Sequence, residues 1–177
     1  ALVTGGDSGI GRAVSYLYAQ EGAKVAITCL PEEKVDAEKL NEELEQEILI
    51  SRGDVTDPHF CKHAVGETTR RFGQLDILVN NAGAIPGGSL EVIDEEKWRA
   101  AWDLKVFGYI NMCRSFYKKM KLHNSGTIIN IIGNAGDTRD PSYICGVAAN
   151  ASLTAFSQSL GSTSAKDGIR VLSLIHI

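Results

Sequence analysis

The chain has 177 residues, a formal charge of -4, and 44% hydrophobic against 23% charged residues. That composition fits one globular domain, and the mild acidity suits neither a nucleic-acid backbone nor an anionic membrane surface. No apolar run reaches the about 18 residues that a membrane span needs. Cys29, Cys61, Cys113 and Cys145 are scattered without a C-x-x-C pair, as expected of small buried side chains in a reducing cytoplasm. The sequence begins without Met inside an apolar run and shows no signal-peptide pattern, which leaves targeting open.

In chain order, Ala1-Leu2-Val3 reads as a buried strand. Ile10 to Gln20, with Ile10, Val14, Leu17 and Tyr18 at spacings of three and four, reads as a helix. Lys24 to Thr28 is a second strand, Pro31 to Gln46 an acidic helix and Glu47 to Ser51 a third strand. Asp57-Pro58 opens another helix, with Asp as N-cap and Pro in the first turn. Leu75 to Val79 is an apolar strand running into Asn80-Asn81-Ala82-Gly83. One long helix is expected over Asp94 to Leu122, a strand over Gly126 to Ile132, a helix over Pro141 to Lys166 and a last strand over Ile169 to Leu174.

Strands alternating with helices of this length predict βαβ units, and their continuous apolar runs predict strands covered on both faces. The expected fold is a doubly wound parallel sheet in three α/β/α layers. Residues 1–83 carry 8 basic and 14 acidic groups, whereas residues 84–177 carry 10 and 8. The acidic excess lies mostly in the helix after Pro31 and reads as a solvated face. His59 and His63, four apart, lack an evident third ligand and read as exposed helix residues rather than a metal site. Trp98 and Trp102 read as core anchors.

Thr4-Gly5-Gly6-Asp7-Ser8-Gly9-Ile10-Gly11 joins the first strand to the first helix. Glycines at 5, 9 and 11 allow positive φ and let a pyrophosphate approach the backbone. The helix that follows turns free N–H groups and its positive dipole end toward that anion. With a strand before and a helix after, the loop has the context of a dinucleotide site rather than of a plain turn.

Together with Asp54-Val55 and Asn80-Asn81-Ala82-Gly83, in that order, the loop resembles the short-chain dehydrogenases/reductases over nearly the whole chain. The resemblance implies a Rossmann fold with strand order 3-2-1-4-5-6-7 and hydride transfer to or from a nicotinamide. It implies cofactor contacts from Gly5, Asp7, Ser8, Gly9, Ile10 and Gly11 in the loop. Asp54 and Val55 would contact the adenine, and Asn81, Ala82 and Gly83 would lie along the cofactor. An acidic residue after the second strand holds the ribose of NAD, and a basic one favours NADP. Here Cys29 and Leu30 are neither, and Arg12 is a nearby partner for a 2′-phosphate, so the cofactor is NADP or NAD with a lean to NADP.

The family's catalytic residues are a Tyr and Lys in Y-x-x-x-K, a Ser thirteen residues before the Tyr, and an Asn in the preceding helix. This chain departs at each point. Asp103 stands where the Asn is expected and Gly133 where the Ser is expected. In the ungapped register Gly146 takes the Tyr position and Asn150 the Lys position. A register three residues shorter aligns Tyr143 instead, with Val147 for the Lys. Asn150-Ala151-Ser152-Leu153 favours the ungapped register, in which Tyr143 shares a helical face with Gly146 and Asn150. Tyr143 then either reaches into the space left by the glycines as the acid/base, with Asn150 a weak substitute for the lysine, or packs at the helix start.

The resulting expectation is an NAD(P)-dependent oxidoreductase acting on a small-molecule alcohol or carbonyl, cytoplasmic, without nucleic-acid or membrane partners, and homo-oligomeric at full length. The alternative is a dinucleotide-binding protein of the same fold without turnover, acting as a sensor or interaction module. The tail Ser173 to Ile177 lacks the Pro-Gly that follows this strand in the family, and members continue further. The chain therefore reads as a single truncated domain over 1–177, and its last strand as an apolar edge.

Overall fold

Six short apolar segments form one parallel sheet: β1 (Leu2–Thr4), β2 (Ala26–Cys29), β3 (Leu49–Arg52), β4 (Ile77–Asn80), β5 (Gly126–Gly133) and β6 (Ile169–His176). Their order across the sheet is β3-β2-β1-β4-β5-β6. The computed structural model describes residues 1–44 and 47–176. Register follows the two-residue period of a strand. Leu2 pairs with Ala26 and Leu78 and sends its side chain to one face, whereas Val3 pairs with Ile27 and Val79 and faces the other. The first set packs with Phe116, Met120 and Ile128, the second with Ala19, Leu40 and Ile131. A chain with two buried strand faces thus builds two cores.

The helices are α1 (Gly9–Gln20), α2 (Lys34–Glu43), α3 (Pro58–Phe72), α4 (Glu95–Trp102), α5 (Gly108–His123), α6 (Ala135–Thr138) and α7 (Ile144–Ser164). Asp57 caps α3 as its sequence predicts, accepting the His59 N–H at 2.8 Å with Pro58 in the first turn. The acidic helix expected to Gln46 ends at Glu43, where Leu44 turns extended; the rest of that expectation, Glu45 and Gln46, lies outside the described residues, as does Ile177 of the tail.

Three boundaries differ from expectation in ways that matter for the site. The long helix of 94–122 is interrupted by a π-helical turn over Asp103–Phe107 between α4 and α5, and the extra residue in that turn re-aims its side chains. The helix expected from Pro141 begins at Ile144, because Asp140 accepts the Ser142 N–H at 2.8 Å and holds that stretch in a turn. The short α6 was not foreseen. It ends on Arg139 in a left-handed conformation, φ 55°.

Candidate active site

The sheet changes direction of winding between β1 and β4, and a cleft of about 490 Å³ opens there beyond the strand ends, the place where open α/β sheets bind ligands. The glycine loop forms its floor. Gly5 and Gly9 have φ of +58° and +51°, and a Cβ on Gly11 would overlap the Gly5 carbonyl oxygen. Ser8 precedes α1 in an extended conformation, with no side chain capping the first turn, so that turn's N–H groups remain for an anion. Asn81 locks the loop: its Nδ2 donates to the Thr4 and Gly5 carbonyls at 3.1 and 3.0 Å. Thr4 Oγ1 in turn accepts the N–H groups of Asn81 and Ala82 at 2.9 and 3.1 Å.

The wall beyond β2 is acidic. Asp7 is 2% exposed, and its Oδ1 has no hydrogen-bond partner among the described residues. Glu33 reaches back to accept the Leu30 N–H at 2.9 Å and lines the cleft with Asp7 and Cys29. Burial, with these two carboxylates nearby, pushes the Cys29 thiol up to about 11. Arg12, the expected partner of a 2′-phosphate, is instead ion-paired with Glu43 at 2.5 Å and does not line the cleft.

Gly5, Asp7, Ser8, Gly9, Ile10, Asn81, Ala82 and Gly83 all line the cleft. Gly11, Asp54 and Val55 do not, Gly11 being buried against the Gly5 carbonyl. Val55 is buried in the core under Gly108, and Asp54 is exposed with Oδ1 accepting the Thr56 N–H at 2.8 Å. Asp103 also lies elsewhere, exposed on a surface groove with Trp98, Trp102 and Phe107. Within the π turn Asp103 faces outward, whereas Leu104 and Lys105 line the cleft.

Lys105 is the residue that sequence reasoning missed. Its stem packs on Gly83, where an added Cβ would stand 3.1 Å from the Lys105 Cδ. No hydrogen bond or ion pair holds its ammonium among the described residues, and burial lowers its pKa from the ordinary lysine value. The signal available was a single lysine inside the apolar run Leu104 to Phe107.

At the head of α7, Gly133, Gly146 and Asn150 come together. Asn150 is 1% exposed, its Oδ1 accepts the Gly133 N–H at 3.3 Å, and a Cβ on Gly133 would stand 2.9 Å from its Nδ2. The Tyr143 ring covers Gly146 and would overlap any Cβ there. Burial raises the Tyr143 pKa, with no cation opposing it, and Tyr143 does not line the cleft. The loop after Gly83 is pinned beside it, the Gly88 N–H donating to the Ser142 carbonyl at 2.6 Å.

The other motifs are structural. Trp98 and Trp102 pack with Ile93, Ala101 and Cys145, as expected of anchors. His59 and His63 are exposed, and no cluster of three metal-ligating side chains exists among the described residues. The thiols of Cys61 and Cys113 are both pushed up to about 12 by burial, far from the thiolate a nucleophile needs. No helix is long and apolar enough to cross a membrane among the described residues.

Comparison with known proteins agrees with this architecture. A crystal structure of a short-chain dehydrogenase from Streptomyces avermitilis superposes with a TM-score of 0.90 at 30% identity, covering 98% of this chain and 62% of that one. General stress protein 39 of Bacillus subtilis is 37% identical over 97% of this chain and 60% of its own length. NADPH-dependent aldehyde reductase 1 of Arabidopsis thaliana is 34% identical over 97% of this chain, and glucose and ribitol dehydrogenase of Daucus carota 36% identical over 97%. The chain thus spans about 60% of the length of such curated relatives. The family model for short chain dehydrogenases matches residues 1–175, and the chain belongs to that family.

Proposed function

We propose that this chain carries the dinucleotide site of an NAD(P)-dependent oxidoreductase that moves a hydride between a nicotinamide and an alcohol or carbonyl. The observation that carries the reading is the glycine loop, whose Gly11 has no room for a Cβ and whose helix offers uncapped N–H groups to the cleft. Backbone approach and a positive dipole end are what a pyrophosphate requires. When bound, the nicotinamide supplies a hydride acceptor or donor. Gly5, Ser8 and Gly9 would hold the pyrophosphate, and Asn81, Ala82 and Gly83 would flank the path toward β5.

We assign NAD(H) in preference to NADP(H). Asp7 and Glu33 border the cleft beyond β2, where they would repel a 2′-phosphate and accept from ribose hydroxyls. Arg12, already committed to Glu43, is removed from the argument for NADP. At the opposite end, Tyr143 is the phenol nearest the vacated Gly146 position and would donate a hydrogen bond to the substrate oxygen. Asn150 replaces a cation with a neutral amide that anchors Gly133. Asp103 has no role in this reading.

A second reading, dinucleotide binding without turnover, draws on Gly133, Gly146 and Asn150, which supply neither hydroxyl nor phenol nor ammonium. One experiment separates them. NADH and NADPH are titrated by fluorescence, and nicotinamide absorbance is followed with benzaldehyde for reduction and with glucose and ribitol for oxidation. Binding with turnover supports the oxidoreductase, binding without turnover supports the second reading, and absence of binding overturns both.

A further inference from the structure

We propose that Lys105 is a catalytic residue of this reaction, holding at its Nζ the proton that the substrate oxygen takes up. The inference rests on the oxidoreductase reading. Its first support is position. The acidic wall beyond β2 marks the adenosine end of a dinucleotide, so the reacting end lies over β4 and β5, and Lys105 lines the cleft there with Gly83 and Gly133. Its second support is the absence of an anion. Asp7, Cys29 and Glu33 share the cleft, and Tyr143 and Cys145 stand at the N-cap and in the first turn of α7, which packs on the same turn. The cleft-lining ends of β4 and β5, Asn81 to Ala84 and Ile131 to Gly133, carry no titratable side chain. None of these groups pairs with Lys105 among the described residues, and burial alone acts on its pKa.

A half-buried ammonium without a counter-ion is poorly solvated, and losing its proton relieves that cost. Such a group is poised to donate in a way that a surface lysine is not. In the reducing direction the carbonyl carbon accepts the hydride and forms a C–H bond, while the C=O π pair becomes a lone pair on oxygen. That oxygen takes the proton from Lys105, the N–H bond breaking to leave a neutral amine. Solvent then returns the proton. The nicotinamide is oxidised and the carbonyl reduced, and alcohol oxidation runs the same exchange backwards.

The test combines labelling with kinetics. The protein is treated with limiting acetic anhydride at pH 8, with and without saturating NADH, and acetylation is mapped by peptide mass spectrometry. Lys105 is expected to be acetylated in the free protein and protected about tenfold by NADH, while the exposed Lys118 is unaffected. Equal labelling of Lys105 with NADH demonstrably bound overturns the assignment. Lys105→Met is expected to retain NADH binding and lose roughly 10²- to 10⁴-fold in benzaldehyde reduction, the range of a positioned acid. Lys105→Arg keeps the charge but does not release a proton, and should be as slow as Met. Full turnover in either variant overturns the proposal alone, whereas loss of NADH binding by the parent protein overturns the oxidoreductase reading with it.

Discussion

The ring of Tyr143 lies against Gly146, in the volume that any side chain at 146 would need. Tyr143 stands at the N-cap of α7, outside the helix, and its ring folds over Gly146 in the first turn. Gly146→Ala should destabilise the protein by about 1–3 kcal/mol, the usual cost of overpacking. Adding Tyr143→Ala should remove most of that penalty, since residues in contact are not additive. Urea unfolding of the two single variants and the double variant measures the coupling.

The same relationship governs chemistry. Tyr143→Phe keeps the ring over Gly146 and deletes only the hydroxyl. With one donor to the substrate oxygen gone, kcat should fall by roughly 10²- to 10³-fold, with NADH affinity unchanged. Turnover equal to the parent's would make Tyr143 a packing residue.

For the glycine loop, Gly9→Val is the cleaner probe. No atom lies within 4 Å of a Cβ at this position, but φ is +51°, so the cost is backbone strain of about 1–2 kcal/mol and a branched side chain facing the anion site. The fold should survive, with fluorescence titration showing loss of NADH binding. Gly11→Ala should instead unfold the loop, because its Cβ meets the Gly5 carbonyl.

Cofactor preference can be shifted through Glu33. Glu33→Gln retains an oxygen for the Leu30 N–H and removes the charge. The ratio of NADPH to NADH affinity should rise about tenfold, equivalent to about 1.4 kcal/mol. An unchanged ratio in paired titrations would show that Glu33 does not see the 2′ position.

Stability against pH should carry the mark of Asp167, which accepts the Tyr117 hydroxyl at 2.5 Å and pairs with Lys121 at 3.2 Å. The Tyr117 hydrogen bond first, then Lys121, holds the Asp167 carboxyl below its usual range, and the same hydrogen bond raises Tyr117. A depressed carboxylate contributes stability that is present above its unfolded pKa and lost as pH falls through the folded one. A raised phenol contributes below its unfolded pKa and loses that contribution as pH rises through the folded one. Thermal midpoints should therefore drop at both acid and alkaline extremes, and Asp167→Asn should flatten both limbs.

The sequence by itself determined the alternation of strands and helices, the parallel sheet, the Asp57 cap and the glycine loop. Those features are local, arising from hydrophobic period, capping chemistry and the φ freedom of glycine, and so can be read residue by residue. Helical spacing put Gly146 and Asn150 on one face, and the family resemblance set Gly133 beside them. Only the tertiary structure decided that Asp103 faces away and Lys105 faces in. Helical spacing separates those two residues, but which of the two faces meets the cleft depends on how the turn packs against α4, α5 and α7. Tertiary contacts likewise spent Arg12 on Glu43 and buried Val55 under Gly108, whereas Glu33 turns back to the cleft through a local bond from the Leu30 N–H three residues away. For Arg12 and Val55 the partner lies beyond the neighbours that local spacing brings together, and the direction of a charged side chain is set by which partner it finds.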